Sequence, residues 1–210
     1  MFKILAAEAE ENNDESCEDC ETLPSIANLG ISVVGLYGPV EESSCAGAIF
    51  AILQYVHILE ELEEEDVNKQ IPFTFYISTA GGNTEDMFAL YDVIEHAKSK
   101  GVIIKTVGVG KVFSAGVPLL SAGTVGYRFL GKNCRILLHD ISVDGSMIGD
   151  LQHITNEIKE IKLAKKKYYD ILKETSAVND KMIKQILKKK VNYYFSAEEA
   201  IKYSIADHIL

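Results

Sequence analysis

The chain has 210 residues, 47% of them apolar and 25% charged, and its formal net charge is −10. That composition is typical of a globular domain and excludes a disordered or low-complexity protein. The acidic balance argues against a dedicated nucleic-acid binder, because phosphate neutralisation needs a basic surface. The sequence contains no run of 18 apolar residues, so we expect neither a transmembrane helix nor a membrane partner.

The charge is spread unevenly along the chain. Residues 1–30 hold eight acids and one lysine, whereas residues 151–210 hold 12 lysines and eight acids. Residues 1–28 lack apolar periodicity and are predicted to form an acidic flexible arm, with one folded domain over residues 29–210. The apolar patch at residues 4–7 is too short for a signal-peptide core, so a cytoplasmic location is expected.

Four cysteines are present, and without an export signal they are expected to be reduced thiols. Cys17 and Cys20 have metal-ligand spacing, but no second cysteine or histidine pair follows at zinc-site spacing. The simpler interpretation is two thiols in a mobile arm. The sequence therefore predicts no metal site and no cofactor.

Apolar periodicity predicts strands that alternate with helices. The predicted strands cover residues 31–37, 72–78, 102–109, 125–130 and 134–139. Six helices are predicted. The first begins at a cap on Ser43 or Ser44, the second spans 84–99, and the third is short and ends near 122–123. The fourth and fifth span 150–173 and 179–187, and the sixth begins at a Ser196–Glu199 capping box. This alternation predicts an α/β domain with mainly parallel pairing.

The helix predicted over residues 150–173 carries a narrow apolar stripe. Its members recur at alternating spacings of three and four, with Lys165 filling one gap: Leu151, Ile154, Ile158, Ile161, Tyr168 and Leu172. A period of 3.5 residues favours packing against another helix. An ordinary amphipathic helix on its own core is the alternative.

Three short segments could carry chemistry. Ser114 stands between a predicted strand and a glycine-flanked helix start, where a hydroxyl can project from a sharp turn beside free backbone N–H groups. Gly81 and Gly82 follow a strand and would let a backbone N–H approach an oxyanion closely. His139 ends an apolar strand. Each feature alone is more often structural, as a packing residue, a turn or a strand-end histidine.

Together, in order and spacing, these segments resemble the Clp protease proteolytic subunit (ClpP), a self-compartmentalised serine peptidase. The likeness covers most of the chain, from about residue 31 to residue 210. It is carried by five segments: 35–40, 76–82, 110–123, 128–139 and 194–207. The resemblance implies a crotonase-like ββα superhelix with a protruding handle helix, the long helix described above.

The resemblance also implies roles for individual residues. Ser114 would be the nucleophile and His139 the general base, with the backbone N–H groups of Gly82 and Ala115 as oxyanion donors. The family's third residue is an aspartate, and the aligned position here is Asn192. An asparagine can orient the imidazole but supplies no negative charge. Asp140 and Asp144 are weaker candidates for the missing carboxylate.

Two functions from different classes follow from this departure. The first is a serine endopeptidase that hydrolyses unfolded polypeptide inside a ring chamber, with a Ser114–His139–Asn192 triad. The second is a weak or inactive scaffold subunit that assembles with an active relative. A third interpretation is a Ser-Lys peptidase that uses Lys111.

The resemblance implies assembly into heptameric rings, single or stacked, and an AAA+ unfoldase as partner. The family's acidic–Arg–acidic stretch at the ring–ring contact is replaced here by Lys190, Val191 and Asn192. Tyr76 matches one aromatic residue of the family's unfoldase-docking pocket, whereas Thr74 and His96 stand where aromatic residues are expected.

Overall fold

The computed structural model describes residues 32–61, 71–141, 148–189 and 192–210. The strands within these ranges are β1 (Val33–Tyr37), β2 (Phe73–Thr79), β3 (Ile104–Phe113), β4 (Arg128–Leu130), β5 (Arg135–Leu138), β6 (Tyr193–Phe195) and β7 (His208–Ile209). The helices are α1 (Glu42–Glu60), α2 (Thr84–Ser99), α3 (Gly116–Ser121), α4 (Leu151–Thr175), α5 (Asp180–Lys189) and α6 (Ala197–Lys202). The acidic arm, the start of the predicted domain at residue 29, Cys17 and Cys20 lie outside the described residues.

The strands form one mixed sheet that is mainly parallel. Its path runs β1-β2-β3-β4-β7 with parallel pairing throughout. A second branch adds β5, parallel to β3, and then β6, antiparallel to β5. The predicted α/β class with parallel pairing is confirmed, while β6 and β7 were not predicted.

The long strand β3 serves both branches of the sheet. Its first half pairs with β4 through Thr106–Gly108, and its second half pairs with β5 through Lys111–Phe113. Between the halves, β2 advances from Ile77 to Thr79 while β3 advances from Gly108 to Val112. Gly110 makes this bulge with a φ of +67°. The predicted strand end at residue 109 is therefore wrong, because the two glycines mark a bulge inside β3 and not its end.

Helix α1 contributes a core face of six buried residues at helical spacing, namely Cys45, Ala48, Ile52, Tyr55, Val56 and Leu59. By length and composition alone it could cross a membrane, with a mean hydropathy of 1.2 and 33% of that window buried. Such helices are weak indicators, because a core helix passes the same test. The helix begins after Glu41, not after Ser43 or Ser44 as predicted. Ser44 instead accepts the Glu41 N–H at 3.2 Å from the third helical position.

Helix α4 has 25 residues and two different halves. Asp150 caps its start by accepting the His153 N–H at 2.8 Å. In the first half the stripe is exposed at Leu151 (81%) and Ile158 and half-buried at Ile154 and Ile161, and in the second half it is buried at Tyr168 and Leu172. The alternative interpretation therefore holds for the second half, and packing of the first half against another helix stays a prediction. The first half has the apolar spacing of a helix contact, and the second packs on the chain's own core.

A buried ion pair closes the C-terminal end of the fold. Arg128 contacts Asp207 with Nη2–Oδ1 at 2.5 Å and Nε–Oδ2 at 2.9 Å. The same arginine donates to the Thr175 carbonyl at 2.6 Å, at the last residue of α4. Charge-assisted bonds of this kind are strong, and they tie the chain terminus to α4 and to the sheet.

Candidate functional site

Ser114 lies at the carboxyl end of β3, where the chain turns into α3. Its φ of +52° is in the left-handed region, which a non-glycine residue enters at a cost of about 1–3 kcal/mol. Its N–H donates to the Leu137 carbonyl at 2.9 Å, and its own carbonyl accepts the Val117 N–H at 2.9 Å. These two bonds hold the strained residue between β5 and α3. A strained, half-buried serine in this place fits a nucleophile better than a packing residue.

The Gly81–Gly82 turn faces Ser114 directly. A Cβ on Gly81, whose φ is +95°, would lie 2.6 Å from the Ser114 Cβ and 3.2 Å from its Oγ. A Cβ on Gly82 would lie 2.2 Å from the Val40 carbonyl oxygen. Both glycines are therefore required by close approach. Within the described residues, neither the Gly82 N–H nor the Ala115 N–H has an acceptor, so both are available to a bound oxyanion.

His139 directly follows β5, the strand that pairs with the second half of β3. Its ring Nδ1 lies 2.5 Å from the Asp140 carbonyl oxygen, the geometry of an Nδ1–H that donates. That bond fixes the tautomer whose Nε2 can accept a proton. Across the described ranges, the ring makes no hydrogen bond with Ser114 or with Asn192.

Asn192 directly precedes β6, and the strand register relates it to His139. The antiparallel pairs Ile136–Phe195, Leu137–Tyr194 and Leu138–Tyr193 continue, one residue further, to His139 opposite Asn192. Asn192 is exposed. The sequence prediction that the third position lies near His139 is thus consistent with the sheet register, and among the described residues no hydrogen bond joins the two side chains.

The carboxylate of Asp140, an alternative third residue, pairs with a lysine of α4. Its Oδ1 lies 2.5 Å from the Lys165 ammonium on α4. Asp144, the other alternative, is outside the described residues. Lys111 is exposed on β3 opposite Arg135 and has no hydrogen bond with Ser114 among the residues described.

The two described cysteines are poor alternative nucleophiles. Burial raises the pKa of the Cys134 thiol to about 11, and burial is the largest cause of the raised pKa of Cys45. Both side chains are nearly inaccessible, so both remain thiols. No group of three or more histidine, cysteine, aspartate or glutamate side chains in the described ranges could hold a metal ion.

Sequence reasoning missed the contribution of α4 to this region. The Tyr168 hydroxyl donates to the Ser114 carbonyl at 3.1 Å, and the Tyr169 hydroxyl donates to the His139 carbonyl at 3.4 Å. Only the position of Tyr168 in the apolar stripe hinted at burial. Nothing in the neighbouring sequence indicates which group either tyrosine hydroxyl contacts.

The strained serine, the histidine and the close glycine turn follow the carboxyl ends of three strands of this mainly parallel sheet. Such an arrangement is typical of an α/β enzyme of the serine hydrolase class. The sequence comparisons agree. The model of the Clp protease family matches residues 32–210. The ATP-dependent Clp protease proteolytic subunit 2 of Tropheryma whipplei (strain Twist) is 32% identical over 136 residues, which is 64% of this chain and 71% of the relative. The chain belongs to the Clp protease family, a family of peptidases, and the resemblance recognised in the sequence is confirmed.

Proposed function

We propose that this protein is a serine endopeptidase that hydrolyses unfolded polypeptide, with Ser114 as nucleophile and His139 as general base. The observation that carries the proposal is the strained Ser114 between β3 and α3, packed against the Gly81–Gly82 turn. Family membership supports the reaction class.

The chemistry follows from the groups around Ser114. The Nε2 atom of His139 takes the Ser114 proton as Oγ bonds to the peptide carbonyl carbon. The carbonyl oxygen becomes an oxyanion, and the N–H groups of Gly82 and Ala115 donate to it. The C–N bond then breaks as His139 returns the proton to the leaving amine. Water then attacks the carbonyl carbon of the acyl-enzyme while His139 takes its proton, and the ester bond breaks as His139 returns that proton to the Ser114 oxygen.

Asn192 takes the third position in this proposal. Its amide oxygen can accept the imidazole Nδ1–H once the ring turns away from the Asp140 carbonyl. Neither acceptor carries a charge to stabilise the imidazolium. We therefore expect slow turnover, or turnover that depends on assembly.

The chamber, the ring and the unfoldase also belong to the proposal. We expect assembly into rings, heptameric and single or stacked, and the exposed apolar residues in the first half of α4 support its role as the handle helix of a crotonase-like superhelix. Tyr76 is 41% exposed on β2, which supports a docking role toward an AAA+ unfoldase. The name of the Tropheryma relative describes that protein as ATP-dependent.

The second candidate is a catalytically weak or inactive scaffold subunit that assembles with an active relative. The observation that favours it is the His139 ring, which contacts the Asp140 carbonyl instead of Ser114 or Asn192. The N–H groups of Gly82 and Ala115, which have no acceptor among the described residues, favour the active enzyme.

A fluorophosphonate probe separates the two candidates. We expect the wild-type protein and a Ser43→Ala control to be labelled, because Ser43 is exposed and its hydroxyl bonds Glu41. Ser114→Ala should not be labelled, and His139→Ala should be labelled far more slowly. Equal labelling of wild type and Ser114→Ala would remove Ser114 as nucleophile. Intact rings without any labelling would establish the scaffold, and activity lost in Lys111→Ala but kept in His139→Ala would establish the Ser-Lys alternative.

A further inference from the structure

Two consecutive tyrosines of α4 end on the backbone of the two proposed reacting residues. The Tyr168 hydroxyl lies 3.1 Å from the Ser114 carbonyl oxygen, and the Tyr169 hydroxyl lies 3.4 Å from the His139 carbonyl oxygen. The rings meet edge to face, 5.2 Å apart at 81°. Both side chains are almost fully buried, so this geometry is set by packing.

A third contact comes from the same face of α4. Lys165 precedes the two tyrosines by three and four positions, which places it on their side of the helix. Its ammonium pairs with the Asp140 carboxylate at 2.5 Å. Because the carbonyl of Asp140 lies 2.5 Å from the His139 ring, this ion pair acts on the residue that holds the imidazole.

The two hydroxyls remain donors in neutral solution. Burial is the main cause that raises the pKa of both tyrosines, and the nearby Asp140 charge adds to it at Tyr169. The end of α4 is fixed as well, since Arg128 donates to the Thr175 carbonyl and Ser121 bonds the Thr175 hydroxyl at 2.7 Å. These contacts hold the end of the helix half that carries the tyrosines, while Leu151 and Ile158 in the first half are exposed.

We propose that Tyr168 and Tyr169, supported by Lys165, are positioning residues that hold the Ser114 and His139 backbone in place and so link the placement of α4 to the reacting groups. This inference rests on the proposed function. The tyrosines touch neither the substrate nor the reacting atoms. A shift of α4 would act on both reacting residues at once.

The test uses Tyr168→Phe and Tyr169→Phe, which remove one hydroxyl each and keep the ring packing. Tyr55→Phe is the matched control, because the buried Tyr55 hydroxyl also donates to a backbone carbonyl, that of Ile71, at the opposite end of β2. The net loss of one such hydrogen bond corresponds to about a fivefold change in an equilibrium constant. We expect kcat for a small fluorogenic peptide to fall about fivefold or more in each site variant, with KM little changed. Tyr55→Phe should keep kcat and lose only thermal stability.

A spectroscopic measurement tests the contact without turnover. In protein with carbonyl-13C histidine, the His139 resonance, assigned through His139→Gln, should move in Tyr169→Phe and stay in Tyr55→Phe. An unmoved resonance, or a kcat loss no larger than in Tyr55→Phe, would overturn the inference. The variant Ser114→Ala separates a failure of the proposed function from a failure of this inference. If it keeps activity, the proposed function fails; if it abolishes activity while the tyrosine variants match the control, only this inference fails. A moved resonance in protein without turnover would support the contact and reject the peptidase.

Discussion

Replacing Asn192 by aspartate tests the unusual third position directly. The change keeps the side-chain shape and adds one negative charge. The register of β5 and β6 places residue 192 opposite His139. Residues opposite each other in an antiparallel pair have Cα atoms about 4.5–5.5 Å apart, so the new carboxylate could reach the imidazole. We expect Asn192→Asp to raise peptidase activity.

The size of the increase in kcat/KM depends on how strongly solvent screens the new charge. Two unit charges about 4 Å apart attract by about 1 kcal/mol in bulk water and by about 4 kcal/mol at an effective dielectric of 20. Asn192 is exposed and His139 is half-buried, so the interaction falls between these limits. At about 1.36 kcal/mol per tenfold change, kcat/KM should rise between about fivefold and about a thousandfold. The opposite change in trypsin, where the aspartate is buried, costs about 10⁴-fold in kcat.

The assay is kcat/KM on a small fluorogenic peptide, which needs no unfolding, together with the mass of the assembled particle. Asn133→Asp is the matched control, because it adds the same charge at an exposed turn between β4 and β5. We expect this control to behave as wild type. Unchanged or lower activity in Asn192→Asp, with the particle intact, would refute Asn192 as the third residue and the use of the strand register to place it.

Two further predictions concern the backbone and the buried ion pair. Gly81→Ala should abolish probe labelling, because its Cβ would lie 2.6 Å from the Ser114 Cβ, whereas Gly126→Ala, also at positive φ but with open space, should be labelled as wild type; normal labelling of Gly81→Ala would refute the close approach. Asp207→Ala should cost about 3–5 kcal/mol in denaturant unfolding, since it leaves Arg128 buried and unpaired. Burial raises the pKa of Asp207, but Arg128 and two backbone N–H groups outweigh it and lower the pKa overall. Because the folded-state pKa lies below the unfolded value of about 3.9, this stability is present above pH 4 and is lost as pH falls through the folded pKa. Asp207→Asn should remove that slope, and a slope equal to wild type would contradict the assignment.

The sequence predicted the elements whose signal is local. Helix α2 was predicted at its observed bounds, and the structure adds that Asn83 caps its start by accepting the Glu85 and Asp86 N–H groups. The Ser196–Glu199 capping box, another local signal, is confirmed. Strands β6 and β7 have three and two residues, too few to show alternation. Their pairing depends on distant segments.

The predicted cap of α1 shows how a local signal misleads. A capping box needs a polar side chain at both the cap and the third helical position, and serine suits either. The pattern from Glu41 to Ser44 satisfies it with the serine inside the helix. The sequence rule therefore identified the correct segment but assigned the wrong residue to the cap.

The candidate site divides in the same way. Ser114, Gly81, Gly82 and His139 stand in motifs that a linear comparison finds, and the bulge in β3 brings the serine and the glycines together. The tyrosine contacts could not be found in this way, because 54 positions separate Tyr168 from Ser114 and 30 separate Tyr169 from His139. Their hydrogen bonds result from the packing of α4 and have no sequence motif of their own.

The hydrogen bond between the His139 ring and the Asp140 carbonyl changes what Asn192 is needed for. An orienting residue has two tasks, to fix the tautomer and to stabilise the imidazolium by charge. The Asp140 carbonyl already performs the first task in the single chain. The Asp140 carboxylate could supply the charge, but Lys165 neutralises it. If the carbonyl is the working acceptor, Asn192→Ala keeps activity; if Asn192 orients the ring in the assembled particle, Asn192→Ala loses activity. This measurement therefore distinguishes a site that is complete in one chain from one that assembly completes.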